Sequence, residues 1–232
     1  MKKALVLSSG GVDSTTCIGI AIKELGKENV STVSISYGQK HIKELNQAKE
    51  IAKYYDVKHY ELDLSNIMRY SNCSLLSNST EEIKHESYAE QINNDKEGIV
   101  NTYVPFRNGL MLSSVAALAI SIYPEDEIDI YLGNHSDDVA GSAYADCSEE
   151  FTNAMKEAIY IGTYKKVIVK APLVNMTKDE VVKLGLELEV PYELTWSCYE
   201  GKEKQCGTCG TCIDRKKAFE LNNAIDPVGY EN

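Results

Sequence analysis

Three observations in the sequence predict an α/β fold built on a doubly wound parallel sheet. Short apolar runs alternate with longer segments of helical spacing along most of the chain. Such a rhythm implies parallel strands joined by right-handed crossovers. A turn containing Gly10 and Gly11 directly follows the first apolar run, as in many nucleotide-binding sheets. The composition, 43% hydrophobic and 25% charged over 232 residues, is that of an ordinary globular protein.

Each element is predicted by its own pattern. The first strand is an apolar run, the second alternates and is rich in β-branched residues, and the helices repeat apolar residues every three or four positions. The predicted strands are residues 4–7, 30–37, 58–62, 128–132 and 166–169. The predicted helices are residues 13–25, 42–55, 107–122, 148–161 and 178–188.

Two stretches break the alternation. Residues 65–101 are polar and rich in Ser and Asn, which indicates an insertion or a mobile loop. The last forty residues lose the strand–helix rhythm and carry four cysteines. The simplest organisation is one α/β domain over 1–190 and a small helical lobe over 191–232.

Charge and hydropathy restrict the partners. The 24 Lys and Arg against 35 Asp and Glu give a net charge of −11, which disfavours binding to a long phosphate backbone. The N-terminal apolar run is too short for a signal peptide, and no run of about 18 apolar residues occurs. We therefore expect small-molecule substrates, no direct nucleic acid, no membrane and a cytoplasmic location.

The motif Ser-Gly-Gly-Val-Asp-Ser at residues 9–14 lies between the first strand and the first helix. Glycines allow the backbone N–H groups to approach an anion, and a helix N-terminus adds its positive dipole end. The Lys of a Walker loop and a G-x-G-x-x-G motif are both absent. The alternative is a plain strand–helix turn capped by Asp13 or Ser14.

This motif resembles the pyrophosphate loop of the N-type ATP pyrophosphatases, which adenylate an oxygen of their substrate. The resemblance implies that eleven consecutive residues cradle ATP: Leu7, Ser8, Ser9, Gly10, Gly11, Val12, Asp13, Ser14, Thr15, Thr16 and Cys17. Asp13 would orient the loop or help to hold Mg²⁺.

The cysteine cluster has the spacing C-x7-C-x2-C-x2-C, formed by Cys198, Cys206, Cys209 and Cys212. Consecutive C-x-x-C steps aim several sulfurs at one point, which suits a closed, structural Zn²⁺ site. An iron–sulfur cluster and a redox cysteine pair are the alternatives. We expect Cys17, Cys73 and Cys147 to be small buried or loop residues without chemistry.

Further segments, taken in order, resemble the 7-cyano-7-deazaguanine synthase family over nearly the whole chain. They are Tyr37-Gly38-Gln39-Lys40-His41 with Glu44, Val104-Pro105-Phe106-Arg107-Asn108, Gly133 with Asp138 and Gly141, Tyr144-Ala145-Asp146-Cys147 with Glu150-Phe151, Ala171-Pro172-Leu173 with Thr177-Lys178, and Thr195-Trp196-Ser197-Cys198-Tyr199 with Arg215 and Phe219. The resemblance implies conversion of 7-carboxy-7-deazaguanine, ammonia and ATP into the 7-cyano compound through adenylated carboxylate and amide. It also implies Mg²⁺ and a homodimer, with ammonia free or delivered by a partner because the chain has no room for a glutaminase domain.

Site roles follow from this resemblance. Asp13, Ser14, Arg107 and Asp138 are the predicted catalytic residues. Arg107 would bind the substrate carboxylate or a phosphate through its bidentate fork. The predicted substrate-binding set is Arg107, Asn108, Asp138, Tyr144 and Asp146, with the aspartates reading the amino-pyrimidinone edge or holding Mg²⁺. Weaker candidates are Lys178 for phosphate and His41 and His135 for proton transfer.

The sequence departs from the family pattern at two places. Ala145 and Ser148 stand where proline and arginine are common, and Phe106 stands where glycine is frequent. These departures leave open a relative that stops at the amide or transfers the activated deazaguanine elsewhere. A tRNA-thiolating pyrophosphatase and a zinc-bearing nucleotide-binding module are more remote alternatives.

Overall fold

The computed structural model describes residues 1–86, 90–91, 100–136 and 144–231. Its sheet has five parallel strands in the order β3-β2-β1-β4-β5. Leu5 at the centre pairs with Ser31 on one side and Ile130 on the other. The strands are β1 Lys2–Leu7, β2 Val30–Ser36, β3 Lys58–Asp63, β4 Glu127–Tyr131 and β5 Val167–Lys170.

Helices cover both faces of this sheet. Alternate residues of β1 divide the core, with Ala4 and Val6 packed on one face and Leu5 and Leu7 on the other. The first face carries α1, α2, α6 and α7, and the second carries α4 and α5. The helices are α1 Val12–Leu25, α2 Lys43–Tyr54, α3 Ser65–Met68, α4 Arg107–Ile122, α5 Glu149–Gly162, α6 Lys178–Glu187 and α7 Gly210–Leu221.

The predicted fold class is confirmed, and the five predicted strands and five predicted helices are all present. Their ends shift by only one or two residues, as expected where helices and strands fray. From β1 the sheet grows in one direction through β2 and β3, and then in the opposite direction through β4 and β5. This change of direction leaves a crevice at the carboxyl ends of β1, β2 and β4. Open α/β sheets bind their ligands at such a position.

The described part of the polar stretch packs against the body of the protein. Leu75, Leu76 and Val104 form a small apolar cluster with Tyr37, just beyond the end of β2. This cluster holds residues 70–80 beside the crevice. The rest of the stretch, residues 87–89 and 92–99, lies outside the described residues.

The C-terminal segment contributes directly to the main core. Phe219 of α7 and Tyr192 are buried together, with ring centroids 5.5 Å apart, in the cluster that contains Val6 and Ile18. The division into 1–190 and 191–232 stays a prediction. Within the described ranges, every helix is too short or too polar to cross a lipid bilayer.

Candidate active site

A crevice opens at the switch point of the sheet. It reaches from the loop after β1, across the ends of β2 and β4, to the first turn of α4 and the C-terminal segment. The residues that line it and that carry polar chemistry are Ser8, Ser9, Asp13, Ser14, Tyr37, Gln39, Glu44, Arg107, Asn108, Asn134, His135, Cys147, Lys178, Ser197, Tyr199, Thr211 and Asp214.

The glycine turn is shaped by close backbone packing. Gly10 has φ +81°, and a Cβ there would lie 2.3 Å from the backbone carbonyl oxygen of Glu44. Only glycine fits this position without moving α2. The turn therefore brings the loop against the start of α2 and leaves Gly11 at the N-terminus of α1, facing the crevice.

Serine hydroxyls hold the loop in shape. The backbone N–H of Ser9 donates to Ser14 Oγ at 3.2 Å, and the N–H of Gly11 donates to Ser9 Oγ at 3.3 Å. The hydroxyl of Thr15 donates to the carbonyl of Gly11 at 2.6 Å. These internal hydrogen bonds hold the loop at the N-terminus of α1, where the first backbone N–H groups and the helix dipole suit an anion.

Seven of the eleven predicted nucleotide-binding residues line the crevice: Leu7, Ser8, Ser9, Gly11, Val12, Asp13 and Ser14. Gly10 lies behind the loop, and Thr15, Thr16 and Cys17 are buried within α1. Thr16 shares a hydrogen bond of 2.8 Å with the hydroxyl of Tyr192. Contact of this whole set with a nucleotide stays a prediction.

Asp13 is paired with a lysine from a distant part of the chain. Lys178 Nζ donates to both carboxylate oxygens of Asp13 at 2.7 Å, and His135 Nε2 lies 3.8 Å from the carboxylate. Burial alone would raise the pKa of Asp13, but the charges of Lys178 and His135 lower it below the ordinary value. The loop thus presents an ionised carboxylate and an ammonium group side by side.

The other end of the crevice holds Arg107, at the first position of α4. Its guanidinium lies 5.3 Å from the ring centre of Tyr37 and donates to the Tyr37 hydroxyl at 3.4 Å. Burial alone would lower the pKa of Arg107, but neighbouring groups, first Tyr37 and Tyr199, raise it. In the described part of the chain, Arg107 forms no salt bridge, so its charge faces the crevice.

Asn108 and Asp146 interact with each other. The backbone N–H of Asn108 donates to Asp146 Oδ2 at 2.9 Å, and its side-chain amide donates to the Asp146 carbonyl at 3.0 Å. Asn108 lines the crevice, whereas Asp146 is buried behind it as a partner for the start of α4. Tyr144 is also buried, with its hydroxyl 2.6 Å from Thr102 Oγ1. Substrate roles for these residues stay predictions, and Asp138 lies outside the described residues.

Two of the residues that depart from the family pattern, Phe106 and Ser148, are helix caps in the structure. Phe106 caps α4 with φ +53°, a left-handed conformation that favours glycine, and stacks edge-on against Phe151 at 5.8 Å. Ser148 caps α5, with its hydroxyl accepting from the backbone N–H of Phe151 at 3.1 Å. A serine here supplies a helix cap and no positive charge.

Several crevice residues were not predicted as site residues. Glu44, Gln39 and Trp196 appeared only within motifs, while Asn134, Thr211 and Asp214 had no sequence signal. Burial raises the pKa of Glu44 to about 7, an effect that Arg107 partly opposes and Cys198 reinforces. Cys147 is buried, as are Cys17 and Cys73, but it alone of these three lines the crevice.

The four clustered cysteines meet as predicted. The sulfurs of Cys198, Cys206, Cys209 and Cys212 are buried and lie within 4.8 Å of one another. Backbone N–H groups point at them: those of Glu200 and Cys206 at Cys198 Sγ, and those of Thr208 and Cys209 at Cys206 Sγ, at 3.2–3.4 Å. Donors of this kind stabilise thiolates, so the four residues can hold a metal ion.

The fold and this crevice define the class of the protein. It is a doubly wound α/β protein with a tight glycine turn at its switch point, and the sequence of this turn resembles the pyrophosphate loop of the N-type ATP pyrophosphatases. The family model described as "Queuosine biosynthesis protein QueC" matches residues 3–223. The chain belongs to this family, as the sequence resemblance predicted.

Relatives from bacteria and archaea match over almost their full length. The chain is 40% identical to "7-cyano-7-deazaguanine synthase" of Oceanobacillus iheyensis, covering 99% of this chain and 98% of the relative. It is 42% identical to the protein of the same name from Thermoplasma acidophilum, covering 99% and 92%. It is 39% identical to that of Archaeoglobus fulgidus, covering 97% and 89%.

Proposed function

We propose that this chain is a 7-cyano-7-deazaguanine synthase that uses ATP to convert 7-carboxy-7-deazaguanine and ammonia into the nitrile. One observation carries the proposal beyond family membership. The same crevice holds a phosphate loop with the Asp13–Lys178 pair at one end and, at the other, the guanidinium of Arg107, which has no salt bridge to any residue that the structure describes. An enzyme that joins ATP to a carboxylate needs both an anion site for pyrophosphate and a cation for the acid.

The proposed reaction has two activations. A carboxylate oxygen attacks the α-phosphorus of ATP, and pyrophosphate leaves. Ammonia then attacks the acyl carbon, AMP leaves with the former carboxylate oxygen, and a proton is lost, giving the amide. A second ATP adenylates the amide oxygen, after which loss of the nitrogen protons and departure of AMP leave the C≡N bond. Two ATP are consumed for each nitrile formed.

The chain's own residues have distinct tasks in this scheme. The loop N–H groups and Lys178 hold the pyrophosphate, while Arg107 neutralises the carboxylate so that it can approach ATP. Mg²⁺ would offset the pyrophosphate charge, and Asp13 and Asp214 are carboxylates in the crevice of the kind it binds. Homodimer formation and a cytoplasmic location stay predictions.

We further propose that the cysteine site holds Zn²⁺ in a structural role. Cys198, Cys206, Cys209 and Cys212 would hold the ion through four thiolates, a complete set for structural Zn²⁺ that would leave no position for a reacting group. The site would then stabilise the segment that forms one wall of the crevice, since Trp196 and Ser197 precede the first ligand.

The test is product analysis by mass spectrometry after incubation with ATP, Mg²⁺, ammonium and 7-carboxy-7-deazaguanine. We expect the nitrile, with two AMP and two pyrophosphate per product. Arg107→Met should lower kcat/KM for the carboxylate about 100-fold, while Arg69→Met, at an exposed position, should not. Accumulation of the amide alone would identify the amide-stopping relative, and absence of pyrophosphate would overturn the proposal.

A further inference from the structure

The carboxylate side chain of Glu44 lies within the crevice. It lies in the first turn of α2, and its side chain lines the same end as Arg107, Tyr37 and Tyr199. Across the described ranges, its carboxylate has neither a hydrogen bond nor a salt bridge. Asp13, at the other end, is held by Lys178 at 2.7 Å. Before any ligand binds, the carboxylate of Asp13 is therefore paired with an ammonium group, whereas no described residue pairs with that of Glu44.

An unpaired carboxylate in a crevice is unfavourable in the free protein. Glu44 is half-buried, and partial removal of its carboxylate from water without a protein donor costs free energy, which is why burial raises the pKa of Glu44 to about 7. Arg107 is near enough to oppose this shift, yet the two side chains form no salt bridge. A cation and an anion at one end of a crevice thus stand apart, with space for a ligand that offers both acceptors and donors.

The ring of the proposed substrate has this pattern. A 2-amino-4-oxo-pyrimidine edge presents a ring N–H and an exocyclic NH₂ side by side, and these two donors match the two oxygens of a carboxylate. Its carbonyl oxygen, which follows the ring N–H around the ring, lies beside the 7-carboxylate, and these neighbouring acceptors suit a guanidinium fork. Tyr37, Trp196 and Tyr199 supply aromatic surfaces for a flat heterocycle.

We propose that Glu44 is the specificity-determining residue that accepts hydrogen bonds from the ring N–H and the 2-amino group of the 7-deazaguanine substrate. This inference rests on the proposed function. It assigns to Glu44 the reading of the base edge, a role predicted above for Asp138 and Asp146. Asp146 already accepts from the backbone of Asn108 and is buried behind the crevice.

The test compares 7-carboxy-7-deazaguanine with the analogue that lacks the 2-amino group. The wild-type protein, Glu44→Gln, Glu44→Ala and the control Glu50→Gln are assayed with both compounds; Glu50 is an exposed carboxylate of the same helix. We expect the wild type and Glu50→Gln to prefer the aminated compound about 100-fold in kcat/KM. Glu44→Ala should reduce this preference below about 5-fold and act mainly through KM.

Binding is measured separately from turnover. Trp196 is the single tryptophan and lines the crevice, so its fluorescence reports ligand binding in each variant. Metal content and melting temperature show whether each variant is folded. If the wild type binds with a Glu44-dependent preference for the 2-amino group but forms no product, the proposed reaction fails and the role of Glu44 stands.

Other results would overturn the inference itself. Full discrimination by folded Glu44→Ala would exclude contact with the amino group. A rise in KM for ammonium with a shifted pH profile, at unchanged discrimination, would make Glu44 the base that deprotonates ammonium. Failure of the wild type to bind either compound would overturn both proposals.

Discussion

The backbone N–H of Trp196 donates a hydrogen bond of 2.9 Å to the carbonyl oxygen of Gly10. Two residues further along is Cys198, the first ligand of the cysteine cluster, whose carbonyl oxygen accepts from the indole N–H of Trp196 at 2.7 Å. The glycine turn is thus fixed from two sides, by α2 through the carbonyl of Glu44 and by the cysteine lobe through Trp196. Substitutions in the first turn of α2 or in the cysteine lobe should therefore alter the conformation of the phosphate loop.

Substitution of Gly10 by alanine should displace the loop. The new Cβ would meet the Glu44 carbonyl oxygen at 2.3 Å, and alanine disfavours φ +81°. We expect the free energy of unfolding to fall by about 2–4 kcal/mol and ATP-dependent pyrophosphate release to fall at least 100-fold. Urea unfolding and a pyrophosphate assay measure these effects.

The matched control is Gly162→Ala in the last turn of α5, where a new Cβ has no atom within 4 Å. This change should be neutral or should stabilise by up to about 1 kcal/mol. Equal effects of the two substitutions would contradict the steric explanation.

Loss of one cluster cysteine should also weaken the ATP-binding loop, which lies outside the cluster. Cys212→Ser should release the metal, lower the melting temperature by at least about 5 °C and weaken ATP binding through the Trp196–Gly10 hydrogen bond. Cys73→Ala is the control, because Cys73 is buried but distant in sequence and outside the cluster. Elemental analysis should find one zinc per chain in the wild type and the control. A brown protein containing iron would contradict the zinc proposal.

Lys178→Met should remove the partner of Asp13. Loss of the ammonium group leaves the largely buried carboxylate with only His135 nearby and should cost about 2 kcal/mol at pH 7, and kcat/KM for ATP should fall about 100-fold because the phosphate site loses its cation. The pKa of Asp13 is lowered in the folded protein, so the pair stabilises above the ordinary carboxyl pKa of about 4. This contribution is lost as the pH falls through the lowered pKa.

The difference in unfolding free energy between the wild type and Lys178→Met should therefore be full at pH 7 and shrink below about pH 4. Lys183→Met, at an exposed position of the same helix, should match the wild type in both stability and ATP kinetics. A stability difference that grows towards acid pH would show that the Asp13–Lys178 pair does not act as proposed.

The sequence predicted the sheet, the helices, the phosphate loop and the cysteine cluster because each depends on a local pattern. Apolar periodicity defines an element, and residues 9–14 contain the whole loop motif. The sequence also indicated the left-handed backbone at position 106, because glycine is frequent there in the family. In the structure Phe106 has φ +53°, a conformation that glycine adopts more readily.

The rest of the site depends on tertiary contacts that no local pattern encodes. Lys178 reaches Asp13 across 165 residues, and Thr211 and Asp214 reach the crevice only because α7 packs against α6. Asp146 looked like a ligand because it is acidic and lies in a loop, yet its carboxylate accepts from the start of α4. Glu44 lies in a sequence motif, but only the three-dimensional structure shows that none of the described residues pairs with its carboxylate.

Arg215 should be the most sensitive cationic residue outside the crevice. It is fully buried, its guanidinium binds both carboxylate oxygens of Asp226 at 2.9 Å, and it donates to Thr195 and Ser197 beside the crevice wall. Arg215→Met leaves the carboxylate of Asp226 without its cation, with only the Tyr230 hydroxyl and the Val228 backbone N–H as donors, and should lower the free energy of unfolding by about 3–5 kcal/mol. Arg215→Lys should recover little of this lost stability, because an ammonium group cannot donate to both carboxylate oxygens as the guanidinium does.

The control is Lys217→Met, at an exposed position of the same helix, which should stay within about 0.5 kcal/mol of the wild type in urea unfolding. A folded, fully stable Arg215→Met would show that packing of Phe219 and Tyr192, rather than this ion pair, holds the C-terminal segment in place.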